Sequence, residues 1–128
     1  MKRENFFDGT EACPGYCRVV RVGPQVFVSG TTSADDKGHV VGDTVYAQTR
    51  EIYRKMERAM KPAGAGLGDI VRVVAYVTDI GTAGEFIKAH SELFAEINPA
   101  ATLVALSALV KPEMKIEIEA TAIIGAAA

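Results

Sequence analysis

Residues 116–124 alternate so strictly that they constrain the fold more than any other stretch. In an extended chain successive side chains point to opposite faces. Ile116, Ile118, Ala120, Ala122 and Ile124 therefore share one face, and Glu117, Glu119, Thr121 and Ile123 share the other. The wholly apolar face demands a covering layer. The face that mixes two carboxylates with Ile123 suits neither plain solvent nor plain core. The segment from Asp69 to Thr78 repeats the pattern, with Val71, Val73, Ala75 and Val77 on one side and Arg72, Val74, Tyr76 and Thr78 on the other.

Two helices are available as the cover. After a capping pair, Asp43-Thr44, Val45, Thr49, Ile52, Tyr53, Met56, Ala59 and Met60 recur at three- and four-residue steps. That is one apolar stripe, with Arg50, Glu51, Arg54, Lys55, Glu57 and Arg58 largely outside it. Pro62 and the glycines at 64, 66 and 68 end this helix. After the turn Asp79–Thr82, a second stripe runs through Ala83, Phe86, Ile87, His90, Leu93, Phe94 and Ile97, until Asn98-Pro99 stops it. His90 falls on or near the buried face, where a hydrogen-bonded core histidine is the expectation. Tyr16 to Val22 and Gln25 to Gly30 flank Gly23-Pro24 and read as a hairpin. Thr31 to Gly42 is a loop, Thr102 to Leu106 a short strand, Lys111-Pro112-Glu113 a turn, and Met114 to Ile124 the last strand. The first residues read as irregular and Ala126–Ala128 as a frayed tail. The order β-β-α-β-α-β-β implies an α+β domain in two layers, a mixed sheet with both helices on one face.

At 128 residues the chain is expected to form one domain, 1–128, large enough to bury a core without staples. A net charge of −2 gives no nucleic-acid footprint; Arg18 and Arg21 lie in a strand-like run with no basic cluster around them. No window is apolar and long enough to span a bilayer. Met1–Asn5 lacks the apolar run of a secretory leader, so a cytoplasmic protein with reduced thiols is expected. Cys13 and Cys17 form no zinc pattern with the distant His39 and His90, although Cys17 could line a pocket. No metal or cofactor motif is present.

The half-apolar second face of the sheet suits a subunit interface. The alternative is an open sheet on which Glu117, Glu119 and Arg72 are solvated cross-strand charges. In the interface reading, a carboxylate in an intersubunit cleft loses water, its pKa rises, and it becomes fit for general acid–base work.

Several motifs carry a resemblance. Pro14-Gly15-Tyr16, Arg21-Val22-Gly23, Val26-Phe27-Val28-Ser29-Gly30, Ala47-Gln48-Thr49-Arg50, Asp69-Ile70-Val71-Arg72, Tyr76-Val77-Thr78-Asp79-Ile80, Pro99-Ala100 and Ile116-Glu117-Ile118-Glu119-Ala120 stand in order over nearly the whole chain. Together they resemble the RidA/YjgF family. The resemblance implies a chorismate-mutase-like fold, a homotrimer with a central barrel, and three small-molecule sites at subunit clefts. It also implies hydrolysis of enamine or imine intermediates such as 2-aminoacrylate, with no cofactor. In that family an arginine after the Pro-Ala pair grips the substrate carboxylate and a last-strand glutamate positions or activates water. Carried over, the glutamate is Glu117, the hairpin contributes Tyr16, Ser29 and Gly30, and the arginine position holds Ala101. Thr102 beside it offers a hydroxyl without charge. Losing an Arg–carboxylate contact costs about 1.5–3 kcal/mol, roughly ten- to hundred-fold in binding. The resemblance thus implies a hydrolase or deaminase of an imine, enamine or amide-like metabolite without a carboxylate at that position. Its alternatives are a non-catalytic ligand-binding or regulatory trimer, and a deaminase whose cation comes from Lys111, Arg18 or Arg72 of a neighbouring subunit. Members are also described as endoribonucleases or translation inhibitors, which the charge here does not support.

Overall fold

A computed structural model describes residues 1–127. Six strands and two helices follow one another: β1 (Arg3–Phe6), β2 (Val19–Val22), β3 (Gln25–Thr31), α1 (Val45–Met60), β4 (Ile70–Val77), α2 (Ala83–Phe94), β5 (Ala100–Ala105) and β6 (Ile116–Ile123). They build one mixed sheet in the order β1-β2-β3-β6-β4-β5. β4 and β5 pair in parallel with α2 as their crossover, and the other neighbours are antiparallel. β3 and β4 both run antiparallel to β6, so α1 is likewise the crossover between two strands of one direction.

The alternation in the last strand is realised residue by residue: Ile116, Ile118, Ala120 and Ala122 are buried while Glu119 and Ile123 are exposed. Both helices lie over that apolar face. Tyr53, Ile52, Met56 and Met60 of α1 and Phe86, Ala89 and Phe94 of α2 complete the core. Thr44 caps α1 by accepting the Ala47 amide at 3.1 Å. At the end of α2, Asn98 takes a positive φ of 52° and its amide returns to Phe94 O at 2.8 Å, the left-handed exit that precedes Pro99. His90 sits between Phe86 and Phe94 with its Nδ1 2.8 Å from the Tyr53 hydroxyl. Burial lowers its pKa, as for a histidine held neutral in a core.

Five details differ from the sequence reading. The order gains a strand, because Arg3–Phe6 pairs with β2 along the sheet edge; Arg3, Glu4 and Asn5 carry no strong strand preference, and pairing overrides propensity. Val71 is not on the buried face, because a register shift between Ile70 and Arg72 puts Ile70 there instead. Ile87 is exposed and Ala89 takes its place in the core. Lys55, assigned to the outer face of α1, is buried with 4% exposure. Residues 126 and 127 are tied down, through Ala126 N to Ile123 O and Ala127 N to Asp69 Oδ1; the rest of the expected tail, Ala128, lies outside the described residues.

Candidate functional site

β3 carries a bulge where it meets the middle of β6. Val28 pairs with Ala120 and Thr31 with Ile118, so Ser29 and Gly30 together oppose Glu119. A bulge of this kind re-aims side chains and loosens pairing. Here it brings the Gly30 backbone against the neighbouring side chain of Glu117. A Cβ at residue 30 would collide with Glu117 Oε1 and lie 3.1 Å from its Cδ. Only glycine admits the carboxylate at this place.

Glu117 borders a cleft of about 360 Å³ between the β3–β6 bulge, the loop after β3 and the segments 9–16 and 110–114. Its carboxyl is half-buried, and burial raises its pKa above the ordinary carboxylate value of 4.5. The guanidinium of Arg18 opposes this shift and the charge of Glu119 adds to it. Arg18 is itself buried, at 7% exposure. Its Nη2 donates to Gly30 O at 2.9 Å, its guanidinium lies 5.7 Å from the centre of the Tyr16 ring, and its Nε is buried with no partner among the described residues. Lys55 borders the same cleft and donates from Nζ to Thr32 O and Ala34 O, both at 2.6 Å. Burial, with the Arg18 charge behind it, lowers the Lys55 pKa. Lys111 reaches over the mouth and donates to Gly38 O at 2.6 Å.

Of the six residues singled out from the sequence, Tyr16, Gly30 and Glu117 meet at this cleft. The Tyr16 hydroxyl accepts the Ala12 amide at 2.8 Å and so pins the loop that roofs it. Ser29 stands beside Gly30, but its hydroxyl donates to Cys17 O at 2.6 Å. Ala101 and Thr102 lie exposed on β5, beyond β6 and β4 from β3, and do not border the cleft within this subunit. Cys17 is buried and points to Val19 O. Arg18 and Lys55 are the residues that sequence reasoning did not assign to one site. For Lys55 a signal was available: Gln48, Ile52, Lys55 and Ala59 step by four, three and four, the spacing of a single helix face, and all four are buried. Among the described residues no group of His, Cys, Asp and Glu has metal-binding geometry, and no helix is long and apolar enough to cross a membrane.

The arrangement supplies a carboxylate of raised basicity, two buried cations and an open volume the size of a small metabolite. Comparison with known proteins shows the family. The family described as Endoribonuclease L-PSP matches residues 8–124. A RutC family protein of Pyrococcus abyssi is 32% identical over 127 residues, covering 95% of this chain and 98% of its own. A 2-iminobutanoate/2-iminopropanoate deaminase of Salmonella typhimurium is 32% identical over 111 residues, covering 84% and 86%. Among solved structures, a member of the YjgF/YER057c/UK114 family from Mycobacterium tuberculosis superposes with a TM-score of 0.87 at 40% identity, over 96% of this chain and 100% of that one. The two-layer fold is that of these YjgF and L-PSP structures, with the chorismate-mutase-like architecture that the motifs implied. The chain belongs to the Endoribonuclease L-PSP family, which is the RidA/YjgF family that its motifs resemble.

Proposed function

We propose that this protein hydrolyses a carbon–nitrogen bond of a small imine, enamine or amide-like metabolite, in clefts formed between the copies of a homotrimer in the cytoplasm. The observation that carries this reading is the Glu117 carboxyl. It is half-buried, raised in pKa by that burial, and held open to a cleft by the missing side chain of Gly30. A carboxylate so placed can take a proton from water as the oxygen adds to the carbon of a C=N group. The carbinolamine then collapses, the nitrogen leaves as ammonia with the transferred proton, and a carbonyl remains. One water is consumed and no electrons are exchanged. The deaminase activity named for the Salmonella relative supports the reaction class. Ala101 argues against that relative's kind of substrate, because no cation stands at the position where an arginine would grip an adjacent carboxylate.

The trimer rests on the uncovered face of the sheet, where Phe27, Ile123 and Val104 remain 42, 38 and 42% exposed. Apolar side chains set on such a face suit burial against another copy. Release of ammonia and carbonyl product from imines generated in solution, measured beside mass by light scattering, tests the reading. Wild type is expected to be a trimer that releases ammonia, and Glu117→Gln a trimer that does not. Unchanged release in Glu117→Gln, or a wild-type monomer at micromolar concentration, would overturn it.

A second reading, a trimer that binds its ligand without turnover, is favoured by the engaged hairpin hydroxyls. Ser29 Oγ donates its proton to Cys17 O and the Tyr16 hydroxyl accepts the Ala12 amide, so while those bonds hold Ser29 has no proton to give a ligand or water and can only accept. Ligand-induced stabilisation with no ammonia from any imine is its signature.

A further inference from the structure

The floor of the cleft holds two buried cations whose donors are incompletely used. Arg18 makes a bond from Nη2 to Gly30 O, while its Nε is buried with no partner among the described residues. Lys55 gives two of the three N–H groups of an ammonium to Thr32 O and Ala34 O. Neither forms an ion pair with a carboxylate among the described residues. The other acids around the cleft are occupied or remote. Glu11 accepts the Asp8 and Gly9 amides, Asp35 accepts those of Lys37 and His39, and Asp36 is exposed to water. Asp8 and Glu51 act on Lys55 from its other side, but Asp8 accepts from Thr10 and Glu51 is paired with Arg54, so among the acids that line this cleft within one subunit only Glu117 is left to face the two cations. Buried charge without a partner is destabilising. A site that retains it beside an open volume is built to receive the missing anion.

We propose that Arg18 and Lys55 of one subunit bind a carboxylate of the ligand, a role that Ala101 on the β5 edge leaves unfilled. This rests on the reading of the Glu117 cleft as the working site and specifies its ligand. The ligand is a compact organic anion whose carboxylate lies on the cleft floor, with its uncharged reactive group offered to Glu117. A planar guanidinium favours a carboxylate, whose two oxygens match neighbouring N–H groups. Placing the charge here, and not toward β5, also sets which metabolites fit. An acid group must be borne away from the carbon that Glu117 serves.

The probes are butanoate and its uncharged isostere butanamide, with inorganic phosphate as a second anion. Binding is followed by amide NMR shifts of the wild-type protein and of Arg18→Gln, Arg18→Lys, Lys55→Arg and Ala101→Arg. Butanoate is expected to shift Gly30 and to bind at least about tenfold more tightly than butanamide. Arg18→Gln should weaken butanoate by about the same factor and leave butanamide unchanged. Arg18→Lys and Lys55→Arg keep the charge and guard against misfolding; each should retain part of the preference for butanoate in a protein of native spectrum. Equal affinity for the acid and the amide would overturn the proposal, as would butanoate binding indifferent to Arg18→Gln but created by Ala101→Arg. Phosphate binding as tightly as butanoate would overturn the assignment to carboxylates. The two readings fail separately. Arg18-dependent butanoate binding without ammonia release from any imine removes the hydrolase, whereas Glu117-dependent release indifferent to Arg18→Gln removes the anion floor.

Discussion

The two sides of the sheet centre are built for opposite purposes. Where β3 meets β6, a bulge, a glycine, a half-buried carboxyl and two buried cations converge within one subunit. At β5, the far edge, Ala100, Ala101, Thr102, Val104 and Ala105 are all exposed, and none carries charge. The family pattern would draw ionic groups from both places, a glutamate from the first and an arginine from the second. In this chain the charge is gathered on one side. Under the proposed function, the difference means that the acid–base group and the anion anchor come from one side of the sheet, and that a neutral β5 edge does not make the cleft neutral.

Breaking the charged side should have the largest effect. Loss of a general base lowers turnover by about 10²–10⁴-fold, and Glu117→Gln is expected to do so at unchanged oligomeric mass; ammonia release and light scattering check both. Next comes Gly30→Ala, whose new methyl meets the Glu117 carboxylate. The contact falls on the flexible end of the Glu117 side chain, so the carboxylate is expected to swing aside with little change in urea unfolding and with a loss of activity smaller than that of Glu117→Gln. A change of comparable size on the neutral edge, Ala101→Ser, should stay within about 0.5 kcal/mol.

The sign of the Glu117 pKa shift gives a sharper test. Burial raises its folded pKa above 4.5, so the fold favours the protonated carboxyl. That preference contributes in full below 4.5 and is lost as pH rises through the folded value. The melting temperature of Glu117→Gln should therefore match wild type in acid and match or exceed it near neutrality. A variant less stable than wild type at neutral pH only would mean that ionised Glu117 is held by strong partners. The smallest effect on the site itself belongs to His90, which packs in the core between Phe86 and Phe94. Burial lowers its folded pKa from 6.5, so its contribution is present above 6.5 and is lost as pH falls through the folded value. Replacing it by Gln should flatten stability across that window and leave ligand binding untouched.

Much of this was legible in the chain itself. Strict alternation in Ile116–Ile123 and the stripe from Val45 to Met60 fixed the two layers, because a period of two or of 3.6 admits few partners. Glu117, Gly30 and Tyr16 could be named through motifs. Lys55 shares a helix face with Gln48, Ile52 and Ala59, a spacing visible in the chain, but a charged residue beside an apolar stripe reads as solvated until a loop folds over it. The bulge at Ser29-Gly30 could not be placed, since it exists only in the register of β3 against β6. The β1 pairing escaped for the same reason: it depends on a partner strand and not on Arg3–Phe6 alone.

The central claim is that the acid–base group sits in the Glu117 cleft while the β5 edge contributes no charge. Its most direct test is the rate of keto-acid release from 2-aminoacrylate generated in solution, compared between wild type and Ala101→Arg. A slow wild type, and a variant faster by roughly ten- to hundred-fold, is the predicted result. A wild type that matches arginine-bearing relatives, with no change on adding the arginine, would contradict it.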